Sequence, residues 1–227
     1  MFGVSDPPAR LVSTVLAGPA GALEALLRLP ATPCGAAVVA HPHPLHGGTM
    51  HTKVVHRTAR VLSDRFGLAA LRFNFRGVGA SQGTHDAGRG EVDDLVAAAR
   101  FVRGDYPMGP FVMAGFSFGS LCALRAAPLV RPDLLVLIGL PLDRFEPSLG
   151  ALAGGIPVVW MQGERDEFGG AVQARGLAAD LGFSLHVVEG ADHFFAGRLD
   201  AFEETLSREL EARLPGQAAG TAEAVEQ

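Results

Sequence analysis

Short apolar runs, each bounded by turn residues and most followed by a helical pattern, recur along this chain. No other feature limits its fold as much. CGAAVVAH (34–41), LAALRFNF (68–75), PFVMAG (110–115), DLLVLIGL (133–140), IPVVWMQG (156–163) and SLHVVEG (184–190) are apolar on both faces or nearly so. A strand with that pattern is covered on both sides, which is the condition of a parallel sheet. The intervening segments 52–67, 91–104, 118–129 and 171–182 place apolar residues at helical spacing, and 199–214 is a final amphipathic helix. Strand and helix in alternation imply crossover units. The fold class expected is therefore α/β, a mostly parallel sheet flanked by helices on both faces. Before Cys34, ARLVSTVLAG and ALEALLRLP read as one or two antiparallel edge strands. Nothing linker-like divides the chain, so residues 1–214 are expected to form one domain. The segment 215–227, PGQAAGTAEAVEQ, has no apolar period and is expected to be a disordered tail.

The balance of residues narrows the function. With 48% hydrophobic residues the chain can bury a large core, and a net charge of −5 gives no footprint for nucleic acid or an anionic membrane. No run approaches the ~18 apolar residues of a membrane span. Cys34 and Cys122 are far apart and form no CxxC, so neither a disulfide framework nor a thiolate metal knuckle is indicated. MFGVSDPPAR lacks the basic and apolar regions of a signal peptide, and a cytoplasmic location is expected. The pattern does not distinguish a monomer from a homodimer.

The chemistry is concentrated at Gly115-Phe116-Ser117-Phe118-Gly119, a GxSxG between an apolar strand and an alanine-rich helix. That context makes it a nucleophile elbow: the serine sits on a tight turn, and the helix aims free N–H groups at developing negative charge. A serine nucleophile needs a base, and the base needs an orienting acid. ADHFFAG supplies His193 in a loop following a strand, and GERDEF supplies Asp166 in another. Glu164, Asp143 and the adjacent Asp192 are the other carboxylates to weigh. Loops at the C-terminal ends of parallel strands are where such sites gather.

HPHPLHGGTM (41–50), FNFRGVGASQG (73–83), GFSFG (115–119), GERD (163–166) and DHFF (192–195) together resemble the α/β-hydrolase family. More narrowly, they resemble its small, lid-poor bacterial serine hydrolases, over nearly the whole chain. The resemblance implies a catalytic triad of Ser117, Asp166 and His193, and an oxyanion hole made by the backbone N–H groups of Phe118 and His43. It also implies no cofactor and no metal. Arg76, in the RGVGAS turn, is expected to tie loops together, and Asp93 and Asp94 to cap a helix or line its solvated face.

The histidines of AHPHPLHGG admit a second reading, because His41, His43 and His46 have the spacing of a metal-hydrolase HxHxDH motif. Leu45 stands where that motif needs its aspartate, which favours a loop whose backbone matters more than its imidazoles. Pro42 and Pro44 have no N–H, leaving His43 and Leu45 as donors at the loop tip. The insert after Leu140, residues 141–155, is too short for a lid domain. An open cleft lined by Leu45, Phe116, Phe118, Phe145, Phe168 and Phe194 is expected, taking a small-molecule acyl substrate. The function these observations imply is hydrolysis of small to medium acyl esters. A thioesterase, lactonase or peptidase would share the triad; a metallohydrolase or an inactive binding protein would not use it.

Overall fold

The structure is a computed structural model that describes residues 8–144 and 153–214. The strands are β1 (Arg10–Gly18), β2 (Gly21–Leu29), β3 (Gly35–Ala40), β4 (Leu68–Phe73), β5 (Phe111–Phe116), β6 (Leu134–Ile138), β7 (Val158–Gly163) and β8 (Ser184–Val188). The helices are α1 (Lys53–Asp64), α2 (Gly90–Asp105), α3 (Phe118–Val130), α4 (Ala171–Leu181) and α5 (Leu199–Glu211). The expected tail, 215–227, lies outside the described residues, as does the middle of the insert after Leu140. No helix among the described residues is long and apolar enough to cross a membrane.

The eight strands form one sheet in the order β1-β2-β4-β3-β5-β6-β7-β8. From β4 to β8 every pairing is parallel. Two antiparallel strands extend it at one side: β1 is the edge, and β2 joins the parallel part through Ala25↔Phe73. Because side chains alternate across a strand, each apolar strand feeds two cores. Phe111 and Met113 of β5, with Leu135 and Leu137 of β6, pack under α2, α3 and α4. Val112, Ala114 and Phe116, with Val136 and Ile138, pack under α1 and α5. Fully apolar strands are thus a direct requirement of a sheet covered on both faces.

The chain leaves β3 for β4 on one side and later crosses to β5 on the other. The C-terminal ends of β3 and β5 therefore flank a topological switch point, the usual place for a site in such sheets. One device beside it departs from expectation. Asp93 is exposed but Asp94 is fully buried, not on a solvated face. Asp94 takes the Arg76 guanidinium at 2.7 and 2.9 Å and the Arg76 backbone N–H at 3.0 Å. The remaining Arg76 contact is to the Gly90 carbonyl at 2.6 Å. A buried carboxylate is tolerable only when paired and fully hydrogen-bonded, and this one is. Arg76 accordingly clamps the loop after β4 to the start of α2.

Candidate active site

Ser117 follows β5 with φ 55° and ψ −120°, a conformation rare for any residue with a side chain. Its N–H bonds the Ile138 carbonyl at 2.8 Å, and its own carbonyl accepts the N–H of Ser120 at 2.8 Å. The two flanking glycines are required by backbone approach. A Cβ on Gly115 would run into the Gly119 carbonyl, and one on Gly119 would lie 2.6 Å from the Ala40 carbonyl at the end of β3. Strand, turn and helix are therefore drawn together around the serine, and the Phe118 N–H, first in the helix, has no intrahelical acceptor.

Asp166 follows β7 and His193 follows β8, and the structure brings them together: His193 Nδ1 lies 2.9 Å from Asp166 Oδ2. A carboxylate on Nδ1 holds the ring in the tautomer that leaves Nε2 unprotonated. The imidazole is packed by Phe116, Phe168 and Phe194, with ring centroids 5.1, 4.7 and 5.2 Å away. The competing carboxylates are engaged elsewhere. Glu164 accepts the Gly190 N–H, Asp192 the Ala196 N–H, and Asp143 pairs with Arg144. Asp166 Oδ1 accepts the Phe168 N–H at 2.9 Å, which fixes the carboxylate in plane.

Two residues that the sequence did not single out hold this pair. Gln162, fully buried in β7, donates to Asp166 Oδ2 at 2.9 Å and to the Gly169 carbonyl at 2.8 Å. Its own oxygen accepts the Trp160 indole N–H at 2.8 Å and the Leu140 N–H at 3.0 Å. A lone amide in the apolar run IPVVWMQG was the available signal. Gly139, at φ 52°, leaves room for the imidazole: a Cβ there would lie 2.9 Å from the Phe116 ring and 3.2 Å from His193 Cε1.

The histidine loop after β3 closes as one turn of 3-10 helix, Pro44–His46. His41 is buried with both ring nitrogens committed: Nδ1–H donates to the Pro42 carbonyl at 2.6 Å, and Nε2 accepts the Phe75 N–H at 3.0 Å. Burial lowers its pKa to about 4, outweighing the carbonyl bond and the nearby Glu91. It is a neutral strut. The Leu45 N–H is taken by His43 Nδ1 at 3.2 Å. That leaves the His43 N–H, which has no acceptor among the described residues. The His43 ring lies 5.0 Å from the Phe118 ring, tilted by 53°, so this loop runs beside the elbow. Burial, then His46, His85 and Arg144, hold the His43 imidazole below its ordinary pKa. Among the described residues, no three His, Cys, Asp or Glu side chains are grouped to hold a metal ion.

Ser117, His193, Phe118 and His43 all line one cavity of about 700 Å³, together with Phe168 and Phe194. Two expected wall residues are elsewhere. Leu45 is 69% exposed, because the 3-10 turn carries it outward, away from the cavity. Phe116 is fully buried behind His193, since the last residue of β5 points to the α1–α5 face. Phe145 lies outside the described residues. The wall is not wholly apolar: Arg125 from α3, Arg144 and His85 reach it. Of the cysteines, Cys122 is fully buried on the inner face of α3, and burial pushes its thiol pKa up. Cys34 is half-buried just before β3, donating to the Phe66 carbonyl at 3.0 Å.

The model of the alpha/beta hydrolase fold family matches residues 45–139. An uncharacterized protein of Rickettsia prowazekii is 33% identical over 204 residues, 84% of each chain. A serine hydrolase without a lid from Xanthomonas campestris is 32% identical with a TM-score of 0.82, over 93% of this chain and 99% of that one. An alpha-beta serine hydrolase homologue from Coxiella burnetii is 38% identical with a TM-score of 0.81, over 88% and 97% of the two chains.

Proposed function

This chain belongs to the α/β-hydrolase family, and we propose that it is a serine hydrolase cleaving small to medium acyl esters through Ser117, His193 and Asp166. The observation that carries this reading is the 2.9 Å contact between His193 and Asp166, in a cavity shared with a serine held at φ 55°.

His193 Nε2 takes the Ser117 proton as Oγ attacks the acyl carbonyl. The resulting oxyanion is met by the N–H groups of Phe118 and His43, already oriented before substrate arrives. Asp166 holds the imidazolium that forms. The tetrahedral intermediate collapses, His193 returns its proton to the alcohol, and the acyl group remains on Ser117. Water, deprotonated by His193, then attacks the ester and releases the acid, so one ester and one water become one acid and one alcohol. The stiff proline-flanked loop supports the oxyanion assignment, since a donor that need not reorganise stabilises the transition state most. The open cavity and the short insert after Leu140 support small to medium substrates. The free thiols of Cys34 and Cys122 support a reducing, cytoplasmic setting.

The test is labelling with a fluorophosphonate, with and without EDTA, read by peptide mass spectrometry. Labelling at Ser117 that EDTA leaves intact and His193→Ala abolishes is expected. Activity that follows bound metal, or no labelling, refutes the reading.

A further inference from the structure

The cavity that holds Ser117 and His193 also carries an arginine in its wall. Arg125 stands eight residues beyond Ser117 on α3, and Leu121 lies between them, so all three share one face of the helix. Eight residues of helix rise ~12 Å, and helical side chains lean toward the N-terminus. The guanidinium does lie close to the elbow. Arg125 Nη1 would be 3.0 Å from a Cβ on Gly88, and the Phe118 ring 3.4 Å from the same point.

The neighbouring charges are already matched. Arg144 pairs with Asp143 at 3.3 Å. Glu91, buried beneath the loop, meets His85 at 2.8 Å and accepts the N–H groups of Asp86 and Gly88, each at 2.8 Å. Asp86 pairs with Arg89 at 2.9 Å. Arg125 has no carboxylate partner among the described residues, yet it lines the cavity that holds Ser117. Glu91 ties down this loop through the Asp86 and Gly88 N–H groups, and within it Ala87 takes φ 50° and Gly88 φ 88°. A guanidinium that lines the cavity with no carboxylate partner among the described residues can seat an anion, and its planar fork suits a carboxylate.

Resting on the serine-hydrolase reading above, we propose that the substrates are hemiesters of short dicarboxylic acids, with the free carboxylate seated on Arg125 while the ester carbonyl meets Ser117. Two turns of helix, a rise of ~12 Å shortened by that lean, leave room for a short spacer between carboxylate and ester. The products are a dicarboxylate and an alcohol. Arg125 is a specificity residue and takes no part in bond making.

The experiment compares ethyl hydrogen glutarate with ethyl valerate, which places a methyl group where the first has a carboxylate. Released acid is titrated at constant pH. The protein should favour the hemiester by about tenfold or more in kcat/KM, mostly through KM. Added salt should shrink that preference. Arg125→Gln should lower hemiester turnover far more than valerate turnover, so the preference collapses, and Arg125→Lys should restore part of it. Equal or better use of ethyl valerate by the unmodified protein overturns the inference. So does a parallel loss on both esters in Arg125→Gln, which would mark a purely structural arginine. Fluorophosphonate labelling of Ser117 without hemiester turnover counts against the inference alone. Absence of both labelling and turnover removes the serine-hydrolase reading and this inference with it.

Discussion

Gln162 Nε2 lies 2.9 Å from Asp166 Oδ2, the same oxygen that receives the ring N–H of His193. The acid is thus held by a side chain buried in β7, while its other oxygen is held by the Phe168 N–H. Gln162→Met keeps the volume and deletes the amide. It leaves the Leu140 N–H and the Trp160 indole without their acceptor. Steady-state kinetics should show kcat down about tenfold with KM little changed, and denaturant melts a loss of about 1–3 kcal/mol. An unchanged kcat at full stability loss would mean that Asp166 needs no such support.

Gly139 separates packing from flexibility. A methyl at 139 meets Phe116 and His193, at a φ of 52° that side chains resist. Gly139→Ala should lower kcat by about tenfold or more, because small displacements of a base are costly to rate. Gly176, exposed within α4 with open space where a methyl would go, is the opposite case. Gly176→Ala should raise stability by about 0.5–1 kcal/mol with activity retained. Thermal melts and esterase assays on both variants check the contrast.

His43 has φ −54°, a value proline adopts without strain. His43→Pro therefore removes the N–H with the backbone path kept, while His43→Ala removes the imidazole and retains the N–H. If that N–H meets the oxyanion, the proline variant loses ~10²–10³ in kcat and the alanine variant far less. Similar losses in both would assign the role to the ring.

His41 makes stability depend on pH. Its pKa falls from 6.5 to about 4 on folding, so between those values the unfolded chain binds a proton that the folded chain refuses. Stability is fully present above pH 6.5 and declines as pH falls toward 4, by about 3 kcal/mol in all. Urea titrations from pH 7.5 to 4.5 should show a weaker acid dependence in His41→Asn than in the unmodified protein.

Arg76 and Asp94 are buried together, and breaking such a pair leaves one charge uncompensated. Asp94→Asn should cost about 3–5 kcal/mol, and an Arg76→Met, Asp94→Leu double variant should recover part of it. Chemical denaturation of the single and double variants measures the coupling.

The architecture was legible because a strand covered on both faces must be apolar at successive positions, and helices between such strands must keep their own period. The elbow was legible for a related reason: Gly115 and Gly119 are imposed by close backbone approach, which leaves few other residues possible. Asp166 was placed by position in the chain, yet only the three-dimensional path separates it from Glu164, Asp143 and Asp192. Adjacent acids such as Asp93 and Asp94 look alike in sequence, while helical rotation exposes one and buries the other. Strand alternation turned Phe116 beneath the imidazole, and a single 3-10 turn sent Leu45 outward. Arg125 was hidden for the simplest reason, since it reaches the cavity only through two turns of helix counted from Ser117.

Trp160 is the single tryptophan of the chain, fully buried, and its indole N–H ends on the oxygen of Gln162. The emitting group is therefore wired, through one amide, to the carboxylate that meets the His193 ring. Any event that loosens Asp166 alters the polarity and bonding felt by that indole, and intrinsic fluorescence becomes a direct optical reading of the state of that carboxylate, with no label attached.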